Sequence, residues 1–302
     1  QLGIPAVSGF HTNFLAYARH YGLGRLSSAI ARYLRWFHNQ TACTLVPSLE
    51  LQTYVRSLGI ARVGLLGRGV DSHVFSPTHR CASLRRCWGA SDDVQVVLYV
   101  GRVAPEKNMH LVVAAYRAMQ RANRGVRLVI VGDGPSRQKL QREHPDVIFS
   151  GPRTGADLSR HYASADVFLF PSETDTFGNV TLEAMASGLA VVAYDYAAAR
   201  MHIRHRESGL LAELGDAHGF IEEAVAMARM PRQLHRLRER AREHASSVDW
   251  RRVSLDFARL LLEAAGPQPH ASGFTQERLH QPGAVIDTAK GRRLPWSQTY
   301  LR

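Results

Sequence analysis

From Val94 onward the chain alternates between two textures. "VQVVLYVG" is a continuous, β-branched apolar run ending in glycine, the pattern of a strand buried on both faces. "PEKNMHLVVAAYRAMQRA" then repeats its apolar residues at helical spacing, with Pro105 near its start. The alternation continues through "VRLVIVGDG", a helix rich in Lys, Gln and Arg, "VIFSG", "GADLSRHYASA", "DVFLFPS", "GNVTLEAMASG" closed by Gly188, and "LAVVAYD". Short apolar strands separated by helices predict a parallel, doubly wound α/β sheet with helices on both faces.

A shorter unit precedes it with the same texture: "IPAVSGFHTNF", the helical "LSSAIARYLRWFHNQ", "TACTLVPS", a short helix and "ARVGLLGRGVD". It reads as the closing part of another α/β domain, with the boundary near Pro77 to Ser91. The chain opens on what reads as the end of a helix, a Gly-Ile-Pro turn and a short strand, so an N-terminal part is expected ahead of Gln1. The expected organisation is a partial N-terminal domain over 1–80 and a C-terminal domain over 92–245. A C-terminal helix over 246–265 then packs back toward the N-terminal domain. From Gly266 periodicity stops at "GPQPHASG", and 266–302 is expected to be a loosely ordered tail.

Composition adds three constraints. The chain has 302 residues, 45% hydrophobic and 21% charged, enough for two modest globular domains. Lys and Arg total 38 against 26 Asp and Glu, and the resulting +12 implies an anionic partner: nucleotide, phospholipid surface or nucleic acid. Much of the excess lies between Arg200 and Arg252, where "RQLHRLRERAREH" sets Glu239 and Glu243 at helical spacing to basic neighbours and reads as a solvated helix face. Cys43, Cys81 and Cys87 form no Cys-x-x-Cys pair, which argues for a reducing cytosol and against a disulfide framework or zinc site. No apolar run approaches the roughly 18 residues of a membrane span, so any membrane contact would be peripheral.

In a doubly wound sheet, ligands bind in the crevice at the carboxyl ends of the strands. "YVGRVAPEKN" puts Arg102 just after one strand and Lys107 at the start of the following helix, a pair suited to a diphosphate or, equally, to an ordinary surface pairing with Glu106. Gly132-Asp133-Gly134 in "VGDGPSR" lacks the third glycine of a dinucleotide fingerprint; it is either a tight turn or a turn that lines a nucleotide. "SETDTFGNVTLEAMASG" crowds Glu173, Asp175 and Glu183 around Phe177-Gly178 after the strand "DVFLF". Asp175 and Glu183 are expected to face one crevice from loop and helix, accepting hydrogen bonds from hydroxyls, while amides at the helix start point at an anion. The plainer readings are an exposed loop acid for Glu173 and a dipole-stabilised helix-start acid for Glu183. Phosphate-binding and hydroxyl-binding groups together match a sugar nucleotide.

"GRVAPEKN", "VIVGDGP", "VIFSG", "YASADVFLFPSETDTFGNVTLEAMASG" and "GRGVD" together resemble the large family of retaining glycosyltransferases with the two-domain GT-B fold, over roughly residues 1 to 265. The resemblance implies two Rossmann-like doubly wound domains facing a cleft, the N-terminal one incomplete. It implies a nucleotide-diphosphate sugar donor, UDP- or GDP-linked, on the C-terminal domain and a lipid or glycan acceptor on the other. By position, Arg102 and Lys107 would neutralise the diphosphate, Glu183 would bind ribose, and the amides around Thr176, Phe177, Gly178 and Asn179 would bind phosphate or sugar. Asp175 stands where the family has a glutamate that contacts the donor sugar, and is one methylene shorter. His11 of "FHTN" matches a histidine near the reacting centre; by itself it would be structural. The implied chemistry is electrostatic, with no metal and no cofactor: cations and a helix dipole stabilise the departing diphosphate, and transfer retains configuration.

The first expectation is therefore a mannosyl- or glucosyltransferase at the cytoplasmic membrane face, where its basic surface would suit anionic lipid. The family's glycine-rich loop after the first strand of the N-terminal domain has no counterpart. That leaves a second expectation, a nucleotide-sugar-binding module without turnover, and within the enzyme class a GT-B phosphorylase or epimerase. Specific nucleic-acid binding is not expected, because the arginine-rich segment lacks interleaved aromatics.

Overall fold

The computed structural model of the chain describes residues 4–11 and 27–266. The expected helix end at residues 1–3 and the tail over 267–302 lie outside the described residues. Two parallel sheets form. In the smaller, β1 (Val7–Gly9), β2 (Cys43–Val46) and β3 (Val63–Leu65) pair in that order. Helices α1 (Ser27–Asn39) and α2 (Leu49–Ser57) connect them, and Phe10, Leu34, Val46, Leu51, Val55 and Ile60 form a small core.

The larger sheet contains β4 (Gln95–Val100), β5 (Val126–Val131), β6 (Ile148–Gly151), β7 (Val167–Phe170), β8 (Ala190–Tyr194) and β9 (Gly209–Ala212). All its neighbours are parallel, in the order β6-β5-β4-β7-β8-β9. Every residue of β4, β7 and β8 is buried, which is why those segments read as unbroken apolar runs. Helices α4 (Met109–Ala122), α5 (Arg137–Glu143), α6 (Gly155–Ser164), α7 (Asn179–Ala186), α8 (Ala197–His202), α9 (Ala217–Arg229) and α10 (Pro231–Ser246) cover its faces. The sheet extends one strand beyond the sequence expectation: β9 is "GLLA", with no β-branched residue to mark it as a strand, and it follows the polar stretch "RHRES".

The order reverses at β4, from which the chain runs first outward through β5 to β6 and then returns to β7 on the other side. Connections leaving β4 and β7 therefore diverge to opposite faces and open a crevice at their carboxyl ends. The carboxyl ends of the smaller sheet meet the same region. Thr176 Oγ1, after β7, donates to the His11 carbonyl after β1 at 3.0 Å. Arg200 of α8 pairs with Glu50 of α2 at 3.2 Å.

Between the sheets, α3 (Ala82–Cys87) packs on the larger one, with Val70, Trp88 and Ala90 in its core. Arg242 of α10 donates to the carbonyls of Ser72 at 3.0 Å and Phe75 at 2.9 Å, tying that connection down. The last helix, α11 (Trp250–Ala265), runs past β3: a Cβ on Gly64 would lie 3.8 Å from Leu260 Cδ2. No helix among the described residues is long and apolar enough to cross a membrane.

Two polar assemblies, one buried and one half-buried, hold this arrangement. Asp166, just before β7, accepts from the Val96 amide (2.9 Å) and pairs with Arg80 (2.9 Å), Arg85 (3.0 Å) and Arg238 (3.2 Å). Replacing Asp166 with alanine strands the Arg85 guanidinium, only 3% exposed, in the interior. We expect a loss of about 3–5 kcal/mol of stability, measured by urea unfolding. In the second assembly, His202 Nδ1 of α8 lies 3.2 Å from His244 Nε2 of α10, with the His202 ring edge-on to Phe177. Burial first, and His244 second, lower His202 from 6.5 to about 4. Between those values the unfolded chain binds the extra proton, so the contribution is fully present above about pH 6.5 and is lost as pH falls toward 4. Across that window His202→Gln should reduce the slope of stability against pH by roughly one proton, equivalent to on the order of 3 kcal/mol in total.

Candidate active site

The site begins with the loops after β4 and β5. Gly132 has φ +140, and a Cβ there would overlap the Gly101 carbonyl; one on Gly134 would overlap the Val103 carbonyl. The glycines are needed because the two loops are zipped together: Val103 N donates to Asp133 O at 2.8 Å and Ser136 N to Val103 O at 3.0 Å. This gives Gly132 and Gly134 a packing reason, the tight-turn reading, and it fixes the backbone around Arg102. The Asp133 side chain turns back locally, accepting from Gly134 N at 2.8 Å and facing Arg137 at 3.4 Å.

The next segment departs from expectation. Pro105–Lys107 is a single 3₁₀ turn, Asn108 follows in the left-handed conformation at φ 54, and α4 starts only at Met109. Lys107 thus ends a turn rather than starting the helix, and the α4 dipole does not act on it as a first-turn residue. The kink sends Lys107 across the crevice instead. Its Nζ donates to both oxygens of Asp175, at 2.8 and 2.9 Å, joining the loops after β4 and β7. Both side chains are mostly shielded, 18% and 23% exposed, so the pair is stronger than a surface ion pair. Arg102 takes the plainer alternative in this conformation, pairing with Glu106 at 2.8 Å while remaining half exposed.

The loop carrying Asp175 is held on both sides. Asn108 Nδ2 donates to Glu173 Oε1 at 3.3 Å, and Thr174 Oγ1 to the Glu106 carbonyl at 3.4 Å. The Phe177 side chain is buried, and its carbonyl accepts from Ala198 N at 2.9 Å. Gly178 sits at φ 88 immediately before α7, where a Cβ would press within 3.2 Å of Phe170. No side chain caps this helix; the Thr181 amide donates to the Gly178 carbonyl at 3.0 Å, which leaves the amides of Asn179 and Val180 at the helix start available to an anion in the crevice.

Glu183 is placed differently from its expectation. It is the fifth residue of α7, and the first turn carries no acid, so the helix-start reading does not hold. It is also not joined to Asp175: its Oε2 accepts from Tyr162 Oη at 2.9 Å, and burial raises its pKa above the usual carboxylate range. His11 enters through its backbone, the carbonyl that accepts from Thr176. The residue as a whole is exposed, yet its ring folds back against Gly9, with Nε2 2.6 Å from where a Cβ would be. That burial, and then the Arg68 charge, keep the imidazole below the ordinary histidine pKa and favour its neutral form.

Arg68, Tyr162, Ser172 and Tyr194 also belong to this region. Ser172 and Tyr194 are buried and line, with Asp175, a cavity of about 10 Å³. Arg68 lies in "GRGVD", and Tyr162 and Ser172 lie in "YASADVFLFPSETDTFGNVTLEAMASG"; Tyr194, a lone tyrosine at a strand end, carries no such signal.

Residues 94–229 match the family described as Glycosyl transferases group 1, and residues 1–74 the Glycosyltransferase Family 4. The chain is 38% identical over 240 residues to the GDP-mannose-dependent alpha-mannosyltransferase of Mycobacterium tuberculosis, a match covering 80% of this chain and 62% of that protein. It is 39% identical over 214 residues to the protein of the same name from Mycolicibacterium smegmatis, covering 71% and 56% respectively. The chain thus spans less than two thirds of the length of these curated relatives. Among solved structures, it superposes on Anabaena HepE in complex with UDP and glucose with a TM-score of 0.71 at 22% identity, covering 85% of this chain and 71% of that one. The two parallel sheets, their facing carboxyl ends and these matches agree: the chain belongs to the group 1 glycosyltransferases and has their GT-B fold.

Proposed function

We propose that this chain binds GDP-mannose in the crevice between β4 and β7 and transfers mannose, with retention, to a hydroxyl of a lipid or glycan acceptor. The observation that carries this reading is the Lys107–Asp175 pair, a shielded cation and carboxylate spanning the point where the strand order reverses, beside the uncapped start of α7. One group suits phosphate oxygens and the other sugar hydroxyls. Guanine and mannose are supported by the two mannosyltransferase relatives.

In this reading the diphosphate lies against Lys107 and the amides of Thr176, Phe177, Gly178 and Asn179. Arg102, half exposed, swings from Glu106 to the phosphates. The turn of Gly132, Asp133 and Gly134 lines the nucleotide, and Glu183, with Oε2 engaged by Tyr162, offers Oε1 to the ribose. Lys107 exchanges Asp175 for phosphate, which frees the carboxylate to accept from sugar hydroxyls.

Breaking the bond between the anomeric carbon and phosphate oxygen leaves the electron pair on the diphosphate and positive charge on the sugar. Lys107, Arg102 and the helix amides stabilise the first, and the Asp175 carboxylate the second. The acceptor oxygen attacks from the same face and its proton passes to the departing phosphate. His11, neutral for the reasons above, stands at the acceptor side, where it accepts a hydrogen bond without adding positive charge.

A binding module without turnover is the second reading, in which the donor half, with its extensive core, holds the nucleotide sugar without transferring it. Titration calorimetry with GDP-mannose and UDP-glucose, joined to an assay for released GDP, separates the two. GDP-mannose should bind, and Lys107→Ala should weaken it by roughly 10- to 100-fold, the worth of one charge-assisted phosphate contact. Asp175→Asn should lower turnover more than binding. Binding without GDP release supports the module. If the folded protein binds neither donor, or Lys107→Ala binds as tightly as the wild type, the crevice is not the donor site.

A further inference from the structure

The arginine-rich segment that reads as a solvated helix face in sequence builds something more specific in three dimensions. A groove of about 890 Å³ is lined by Arg204, Arg206, Arg236, Arg240 and His244, with Glu207 and Glu243 as its only acids. One wall is the loop just before β9, the other is α10. Because β9 lies parallel to the other strands, the groove is on the amino-terminal side of the sheet and the proposed donor crevice on the carboxyl side.

The cations of the groove are incompletely neutralised. Arg236 is exposed and has no hydrogen bond or ion pair among the described residues. Arg204 approaches Glu207 only to 3.9 Å, with side chains 81% and 68% exposed, a contact of little energy. Arg240 is paired with Glu243 at 2.8 Å and Arg206 faces Glu223 at 3.5 Å. Guanidiniums from two separate elements therefore converge on one concavity with positive charge left over, and their planar forks match phosphate oxygens. The size suits a small molecule or a headgroup. No Phe, Tyr or Trp lines the groove, so it lacks the large aromatic platforms on which successive bases stack, and a nucleic acid is disfavoured.

We propose that this groove is a second anion site, which binds a phosphate-bearing ligand of two or more negative charges, either a soluble phosphate ester or the headgroup of a phospholipid. Arg236 and Arg204 are its free ligands, and Arg240 and Arg206 join them by exchanging carboxylate for phosphate.

The probe is inorganic pyrophosphate, titrated calorimetrically into the Lys107→Ala protein so that the donor crevice contributes little. One site per chain is expected, and adding Arg204→Ser and Arg236→Ser should weaken it about tenfold or more through the loss of charge-assisted contacts. Both side chains are exposed, so the melting temperature should not change. Co-sedimentation with phosphatidylcholine vesicles, with and without phosphatidic acid, separates the sources. Arginine-dependent binding only to the phosphatidic acid vesicles assigns the site to a lipid headgroup; pyrophosphate binding alone assigns it to a soluble ligand. The proposal is overturned if the arginine variants bind pyrophosphate and vesicles as the parent does. It is equally overturned if these arginines bind a single-stranded oligonucleotide and not pyrophosphate.

Discussion

The carboxylate of Asp166 is the constraint on which the larger sheet depends. It stands at the amino end of β7 and accepts from the Val96 amide near the start of β4, while its own backbone joins β4 and β8: Asp166 N donates to Val96 O at 2.8 Å, and Ala190 N donates to Asp166 O at 3.1 Å. Three arginines from three segments converge on it: Arg80 from the connection between the sheets, Arg85 from α3 and Arg238 from α10. A buried ion cluster of this kind contributes little net stability compared with apolar packing, because desolvation offsets attraction. What it supplies here is position. It locks β4 to β7 at one end, and so sets where the loops leaving their other ends can meet.

At that other end, the crevice is built from opposed charges that satisfy one another until something displaces them. Lys107 holds Asp175, Arg102 holds Glu106, and Asn108 reaches Glu173. The Lys107–Asp175 and Asn108–Glu173 contacts keep two loops in register without filling the space between them. A ligand carrying phosphates and hydroxyls can exchange with both halves of each pair, so the cost of separating the charges is offset by new contacts of the same kind. The pairing at the resting site is in this sense a rehearsal of the proposed bound state, with protein groups standing for the ligand's anion and its hydroxyl donors.

Glycine plays two distinct parts. At Gly132 and Gly134 it allows two backbone segments to touch, and at Gly178 it allows the left-handed turn that aims the start of α7. In sequence all three look alike, as glycines near acids. Only the neighbouring backbone, which comes from a different strand in the first case, separates a residue that shapes the wall of the crevice from one that points amides into it.

Taken alone, the amino-acid sequence determined the alternation of elements, because strands buried on both faces must be apolar throughout and their helices must repeat at 3.6 residues. It also carried the ordered motifs that place the chain in its family, and the clustering of Lys107, Asp175 and the Phe177-Gly178 step at strand ends. It did not reveal β9, whose "GLLA" has no β-branched residue to set it apart from a loop, nor the break at Asn108, since a left-handed asparagine interrupts no periodicity. Partners lay beyond it as well. That Lys107 meets Asp175, that Glu183 turns to Tyr162, and that Arg204 and Arg236 share one groove are facts about residues far apart in the chain. Sequence spacing fixes neighbours within an element; the strand order decides which elements face each other, and with it which charges meet.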